Sequence, residues 1–215
     1  MTLKEKRTLA LKIVERLKEI YPDAPCALEY EGDPWRLLVM GRLSAQCTDK
    51  RVNIVCRDLF SEFPTAKSMA EGDLERIEEI IKPCGLYRMK AKNIKDASAM
   101  LVNNFGGELP SDMDSLLTLP GVGRKIANLL IGDIFGGEAI VADTHCIRIS
   151  SRIGLTPGIK DPTRVEMALR KLIPGAEGSD FCHRIVMFGR EVCHARAPRC
   201  HECPLSDLCM GGKNG

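Results

Sequence analysis

Aromatic side chains are scarce in this chain: one Trp, three Tyr and six Phe make up 5% of 215 residues. Strand-like alternation of apolar and polar residues is nearly absent as well. Both lacks argue against a β-sandwich or barrel, whose cores draw on β-branched and aromatic residues at period two. No apolar run approaches the ~20 residues that span a bilayer, so a helical membrane protein is not expected. Met1 to Lys18 is dense in charge and has no continuous apolar stretch of the signal-peptide kind, which makes cytoplasmic residence the expectation. Net charge is low too, +2 from 31 Lys and Arg against 29 Asp and Glu. Bulk charge therefore announces no polyanionic partner.

Helical periodicity is what the chain has in abundance. Leu9, Ile13, Val14, Leu17 and Ile20 fall on one face of a helix. Similar patterns predict helices over Trp35–Gln46, Lys50–Phe60, Asp73–Ile81, Lys90–Asn104, Asp112–Leu119, Arg124–Phe135, Thr144–Ile153, Pro162–Leu172 and Asp180–Val192. Gly106-Gly107 supplies a stop after the fourth of these. The expected fold class is all-α. Composition shifts near Gly136-Gly137, beyond which cysteine, arginine and histidine rise, and a domain boundary is placed there.

Cysteine is plentiful, with ten residues. Without a secretory signal this argues against a disulfide framework. Cys26, Cys47, Cys56, Cys84, Cys146 and Cys182 are scattered, mostly in apolar helical contexts, where cysteine serves as a small hydrophobe. Cys193, Cys200, Cys203 and Cys209 instead form C-x6-C-x2-C-x5-C near the C-terminus. Four thiolates so close suit either Zn²⁺ or a [4Fe–4S] cluster. The single C-x2-C knuckle and the wide first spacing favour the cluster. Arg196 and Arg199 lie in the x6 loop, where a rigid staple would hold them toward a phosphate backbone.

Leu119-Pro120-Gly121-Val122-Gly123-Arg124-Lys125 separates two helical runs. Glycines allow positive φ and close approach of another molecule, and the N–H groups opening the next helix make an anion site. The positive end of that helix repels an ammonium, which favours the neutral amine that a nucleophilic Lys125 needs. Eighteen residues later comes Val141-Ala142-Asp143-Thr144-His145, where Asp143 precedes a helical run and suits a helix cap as well as a catalytic carboxylate. Lys82, Arg88, Lys90, Lys92 and Lys95 form one basic cluster, and Arg184, Arg190, Arg196 and Arg199 another.

The hairpin, the Val-Ala-Asp-Thr-His segment and the cysteine tail together resemble the endonuclease III family, bifunctional DNA glycosylases/AP lyases of the helix-hairpin-helix superfamily. Leu43-Ser44-Ala45-Gln46-Cys47-Thr48-Asp49 and Cys84-Gly85-Leu86-Tyr87 extend the likeness, which runs in order from about Trp35 to Cys209. The resemblance implies two helical domains: residues 27–136 with the helix-hairpin-helix, and residues 1–26 with 137–215 as an iron–sulfur domain built from both termini. It implies Lys125 as nucleophile and Asp143 as its acidic partner. Gln46 and Leu86 would fill the space left by an extruded base, and Cys193, Cys200, Cys203 and Cys209 would ligate [4Fe–4S]. Gly121, Gly123, Arg124, His145, Arg196 and Arg199 would contact DNA. The implied activity is removal of oxidised pyrimidines from duplex DNA through a lysine Schiff base, with cleavage 3′ to the abasic site by β-elimination. The implied setting is a monomer in the nucleoid. Two departures are visible: Ile126 stands where threonine is common in the family, next to the nucleophile, and Cys47 where alanine is common.

A monofunctional mismatch glycosylase of the same superfamily is the nearest alternative, and Lys125 argues against it because those relatives lack a lysine nucleophile. A non-catalytic helix-hairpin-helix DNA-binding module would need the hairpin and the cysteines but neither Lys125 nor Asp143.

Overall fold

Helix starts in this chain are marked by short polar side chains. In the computed structural model, which describes residues 1–211, Thr2, Asp33, Thr48, Thr65, Asp73, Asp112, Asp143 and Asp161 each accept a backbone N–H of the helix that follows. Such a cap stabilises a helix start by about 1 kcal/mol. The described residues contain eleven α-helices and no strand. They are α1 Leu3–Ile20, α2 Pro34–Leu43, α3 Asp49–Glu62, α4 Ala66–Glu71, α5 Leu74–Ile81 and α6 Tyr87–Asn104. Then follow α7 Met113–Thr118, α8 Arg124–Asp133, α9 Thr144–Ile153, α10 Pro162–Arg170 and α11 Gly178–Glu191. No helix among the described residues is long and apolar enough to cross a membrane.

The chain divides into two compact units, Cys26–Phe135 and a second made of Met1–Pro25 with Gly136–Gly215. In the continuous unit, α6 packs against α4 and α5, and α2 against α3, α6 and α8. Gly41 lets α2 lie close on α8: a Cβ there would sit 3.4 Å from Ile126 Cγ2. Ile126 is buried in that contact, so its side chain is spent on helix packing. Trp35 anchors the same core. Its ring lies 5.5 Å from Phe60, and its Nε1 donates to Ser98 Oγ at 2.9 Å in a buried bond.

In the other unit, α1 buries Ala10, Ile13, Val14 and Leu17 and packs against α11, whose Phe181, Ile185 and Phe188 are buried. Arg184 on α11 is buried as well and donates to Tyr21 O at 3.0 Å and to Asp180 Oδ2 at 3.0 Å. It is therefore not part of an outward basic cluster, contrary to the reading of charge spacing alone. α9 packs against α11 as well, close enough that a Cβ at Gly189 would meet His145 Nδ1 at 2.4 Å.

Helix bounds shift by up to three residues from the sequence reading, α6 for instance starting at Tyr87 rather than Lys90, and two differences have a local cause. α2 ends at Leu43, three residues short of Gln46. Ser44 Oγ donates back to Gly41 O at 2.9 Å and a lysine ammonium takes the next carbonyls, so the helix ladder stops. α4 was not expected; a reciprocal cap between Thr65 and Ser68 secures it.

Replacing Ser98 with alanine strands the buried Trp35 N–H. The expected loss is about 1–3 kcal/mol, read as a lowered urea midpoint, whereas a midpoint unchanged from the wild type contradicts the assignment.

Candidate active site and cysteine cavity

The hairpin between α7 and α8 is short and tightly fixed. Leu119 and Val122 are buried, and Val122 N donates to Leu119 O at 3.0 Å. Gly121 is exposed with φ +78°. A Cβ at that position would lie 2.7 Å from Arg42 Nε and 2.8 Å from Asn93 Cβ. Arg42 is itself held by Asn93 Oδ1, which accepts from Nε at 3.0 Å and Nη2 at 2.8 Å. The turn therefore rests on a cation and an amide drawn from α2 and α6. Gly123 begins α8 in extended backbone and provides no side-chain cap, so the first-turn N–H groups point outward as in an anion site. Lys125 is exposed in that same first turn, with Arg124 half-buried beside it.

Gln46 and Leu86 belong to the same unit. Both are exposed, Leu86 by 53%, and both take left-handed backbone, φ 54° and 48°. For residues with side chains this conformation costs roughly 1–2 kcal/mol. Between the two loops lies Lys90, fully buried, whose Nζ donates to Leu43 O at 2.8 Å, Ala45 O at 2.7 Å and Cys84 O at 2.9 Å. Lys90 thus leaves the outward basic cluster. So does Lys95, which donates to the carbonyls of Ala70 and Gly72. Lys92 is paired with Asp96 at 2.7 Å. Burial, together with the nearby Cys47, pushes the Cys84 thiol up to about 12, and burial raises Cys26 to about 12 and Cys56 further. These remain protonated thiols, packing groups rather than nucleophiles.

Asp143 lies in the other unit. It caps α9, its Oδ1 accepting from Cys146 N at 2.7 Å, and it is half-buried. A carboxylate has two oxygens, and the cap engages one. His145, one turn into α9, is half-buried with its Nδ1 3.2 Å from Arg148 Nη2.

All four C-terminal cysteines line a single cavity of about 170 Å³, alongside Arg152 and Phe188. Burial pushes the Cys203 thiol up, and Cys193, Cys209 and Cys200 push it further, as expected when four sulfurs crowd one centre. Four convergent thiols suit an iron–sulfur cluster. Two arginines of α9 brace the loop. Arg148 Nη2 donates to Cys193 O at 3.0 Å; Arg152 donates to His194 O at 2.6 Å, Ala195 O at 2.9 Å and Cys193 Sγ at 3.4 Å. Arg196 and Arg199 are exposed on this loop, and Arg199 lies at the cavity edge.

Sequence reasoning missed Lys90, Arg42, Arg148 and Arg152. Each carried some signal. Lys90 falls four residues before Ile94, on the buried face of α6 that continues to Ser98 and Leu101. Arg148 and Arg152 sit one helical turn apart, following Asp143. Arg42 is a lone cation in an otherwise apolar helix end.

Residues 39–175 match the HhH-GPD superfamily of base excision DNA repair proteins. Residues 193–209 match the iron-sulfur binding domain of endonuclease III. A protein named endonuclease III from Synechocystis sp. is 48% identical over 205 residues, covering 95% of this chain and 93% of its own. One of the same name from Bacillus subtilis is 42% identical, covering 93% of this chain and 91% of its own. A solved structure of a trapped endonuclease III–DNA covalent intermediate superposes with a TM-score of 0.91 at 41% identity, over 100% of this chain and 98% of that one.

Gly121→Ala forces a side chain into positive φ and against Arg42. It is expected to cost about 1–2 kcal/mol for the backbone alone and to weaken binding to duplex DNA, measured by thermal melting and fluorescence anisotropy. Unchanged melting and affinity would contradict the close packing described above.

Proposed function

The chain belongs to the endonuclease III family of HhH-GPD base excision DNA repair proteins, and we propose how its residues carry out that repair. It is a base-excision-repair DNA glycosylase with abasic-site lyase activity, acts on DNA, and has a [4Fe–4S] cluster as cofactor. Its proposed substrates are oxidised pyrimidines and abasic sites in duplex DNA, and it works as a monomer.

The observation that carries the assignment is Lys125, exposed in the first turn of a helix that opens on an uncapped glycine. The hairpin N–H groups of Gly121 and Gly123 hold a phosphate flanking the lesion, which positions the enzyme without reading sequence. Arg124, His145, Arg196 and Arg199 make further contacts to the DNA. The damaged nucleotide leaves the stack, at a cost of a few kcal/mol. Leu86 wedges into the gap as an exposed apolar side chain. Gln46 offers a donor and an acceptor to the orphaned base.

The neutral amine of Lys125 then attacks C1′. The C1′–N bond breaks, and the base leaves with the bonding pair and gains a proton. Opening of the sugar ring gives an iminium between Nζ and C1′. Loss of a C2′ proton to a base expels the 3′ phosphate and breaks the strand. Water releases the amine. The carboxylate of Asp143 stabilises the positive charge that develops on the sugar or accepts a proton, using the oxygen its helix cap does not engage.

Cys193, Cys200, Cys203 and Cys209 are the proposed ligands of the cluster. These four thiolates would hold the cluster and would tie down the loop that carries Arg196 and Arg199.

Borohydride trapping on duplex DNA with an oxidised pyrimidine tests the nucleophile. Wild type is expected to form a covalent adduct that Lys125→Ala abolishes, and base release with no adduct in wild type would refute the imine route. Asp143→Asn retains the helix cap and removes the charge. It is expected to lower kcat about 10²- to 10⁴-fold with little change in melting temperature; equal activity of the two proteins would remove Asp143 from the chemistry. Purified protein should be brown with iron and labile sulfide, and Cys203→Ser should lose both. A colourless, active, zinc-loaded protein would overturn the ligand assignment.

A further inference from the structure

Lys90 is a buried cation whose partners are three backbone carbonyls. An ammonium has three donors and no acceptor, so the three bonds use it completely. Leu43 and Ala45 carbonyls belong to the end of α2, where the helix ladder has run out and the dipole is negative. The Cys84 carbonyl closes a 3₁₀ turn over Lys82–Cys84 on a different stretch of chain. One atom, Nζ, therefore ties two loops distant in sequence.

The places where it ties them are specific. The Ala45 carbonyl belongs to the peptide group that leads into Gln46. The Cys84 carbonyl belongs to the peptide group that leads into Gly85, and Leu86 follows. Gln46, Gly85 and Leu86 all have positive φ, 54°, 70° and 48°. Such backbone persists at non-glycine residues only where the surroundings over-determine it. Here what surrounds both left-handed side-chain-bearing residues includes the same ammonium.

We infer that Lys90 is a positioning residue for duplex opening, its ammonium fixing the spacing between Gln46 and Leu86 so that they enter the helix stack as a pair. This rests on the duplex-probing roles proposed above for those two residues. A probe pair must be set before DNA arrives, because strand opening is repaid only if both the gap and the orphan base are met together. Without Nζ, three carbonyls lose their donor and the two loops relax independently. The nucleophile is on a separate element, α8, and none of the three carbonyls that Nζ holds belongs to it.

The test compares two substrates for Lys90→Met, which keeps the length of the side chain and removes the donors. Base release from duplex DNA containing an oxidised pyrimidine requires opening; β-elimination at an abasic site in single-stranded DNA does not. Lys90→Met is expected to slow the first by about 10- to 100-fold, the scale of an ångström-sized misplacement, and the second by less than about threefold, within the scatter expected of a remote substitution. The fluorescence rise of 2-aminopurine placed opposite the lesion should be blunted in parallel. Lys90→Gln, with two donors, should recover part of both signals. If Lys90→Met fails to fold by circular dichroism, Lys90→Gln decides by the same ratio of rates.

Equal loss on both substrates overturns the inference by reducing Lys90 to a stability role, and so does unchanged duplex activity. Gln46→Ala and Leu86→Ala are measured alongside. If neither slows base release from the duplex, the probing roles themselves fall. If they slow it and the Lys90 variants do not, only the role of Lys90 falls.

Discussion

A helix that stops leaves up to four N–H groups at one end and four carbonyls at the other without partners in the ladder. With eleven α-helices among its described residues, this chain must satisfy those groups many times over, and its function is organised by how it does so. Most helix starts are closed by Asp or Thr. α8 opens on Gly123 with no side-chain cap. The first-turn N–H groups that no capping side chain takes there are the kind a phosphate needs, beside the lysine proposed to attack the sugar. Closing that end with an aspartate would stabilise the helix and place a negative charge where the phosphate is proposed to sit.

At the carbonyl ends the chain turns to cations. Lys90 takes the end of α2, Lys95 the carbonyls of Ala70 and Gly72, and Arg184 the carbonyl of Tyr21. Arg148 and Arg152 take the carbonyls of the cysteine loop. Hydrogen bonds to a charged donor contribute about 1.5–3 kcal/mol each, more than neutral ones, and hold irregular backbone that has no ladder of its own. The cost is that these charges are turned inward. The surface cations left for DNA are fewer than a count of lysines and arginines suggests, which fits a grip built from a few placed contacts rather than a broad basic face.

The sequence disclosed the all-helical class, the hairpin between two helices and the cysteine tail, because each has a local signature: a 3.6-residue period, two glycines in three residues, or fixed thiol spacing. It was misleading where meaning depends on the partner. Lys90 and Arg184 read as outward charge because spacing does not reveal three carbonyls or a loop waiting on the inner side. Gln46 read as the last turn of a helix because the apolar pattern of α2 runs on past the point where Ser44 and Lys90 divert its carbonyls. Ile126, beside Lys125 in sequence, faces Gly41 and serves the packing of α8 on α2. One helical position separates it from Lys125, and that turns it about 100° away.

The unit assembled from both ends of the chain has a consequence for biosynthesis. α1 is synthesised well before α11, yet the face formed by Ala10, Ile13, Val14 and Leu17 is buried against α11, and Arg16 donates to Pro204 O at 2.7 Å within the cysteine loop. The ribosome must deliver α11 before α1 has that surface to cover it. Residues 26–135 form a continuous unit and are free to fold while that helix waits. The cysteine loop and the helix that braces it are thus separated in synthesis by the whole of the continuous unit, and they meet only after residues 26–135 have left the ribosome.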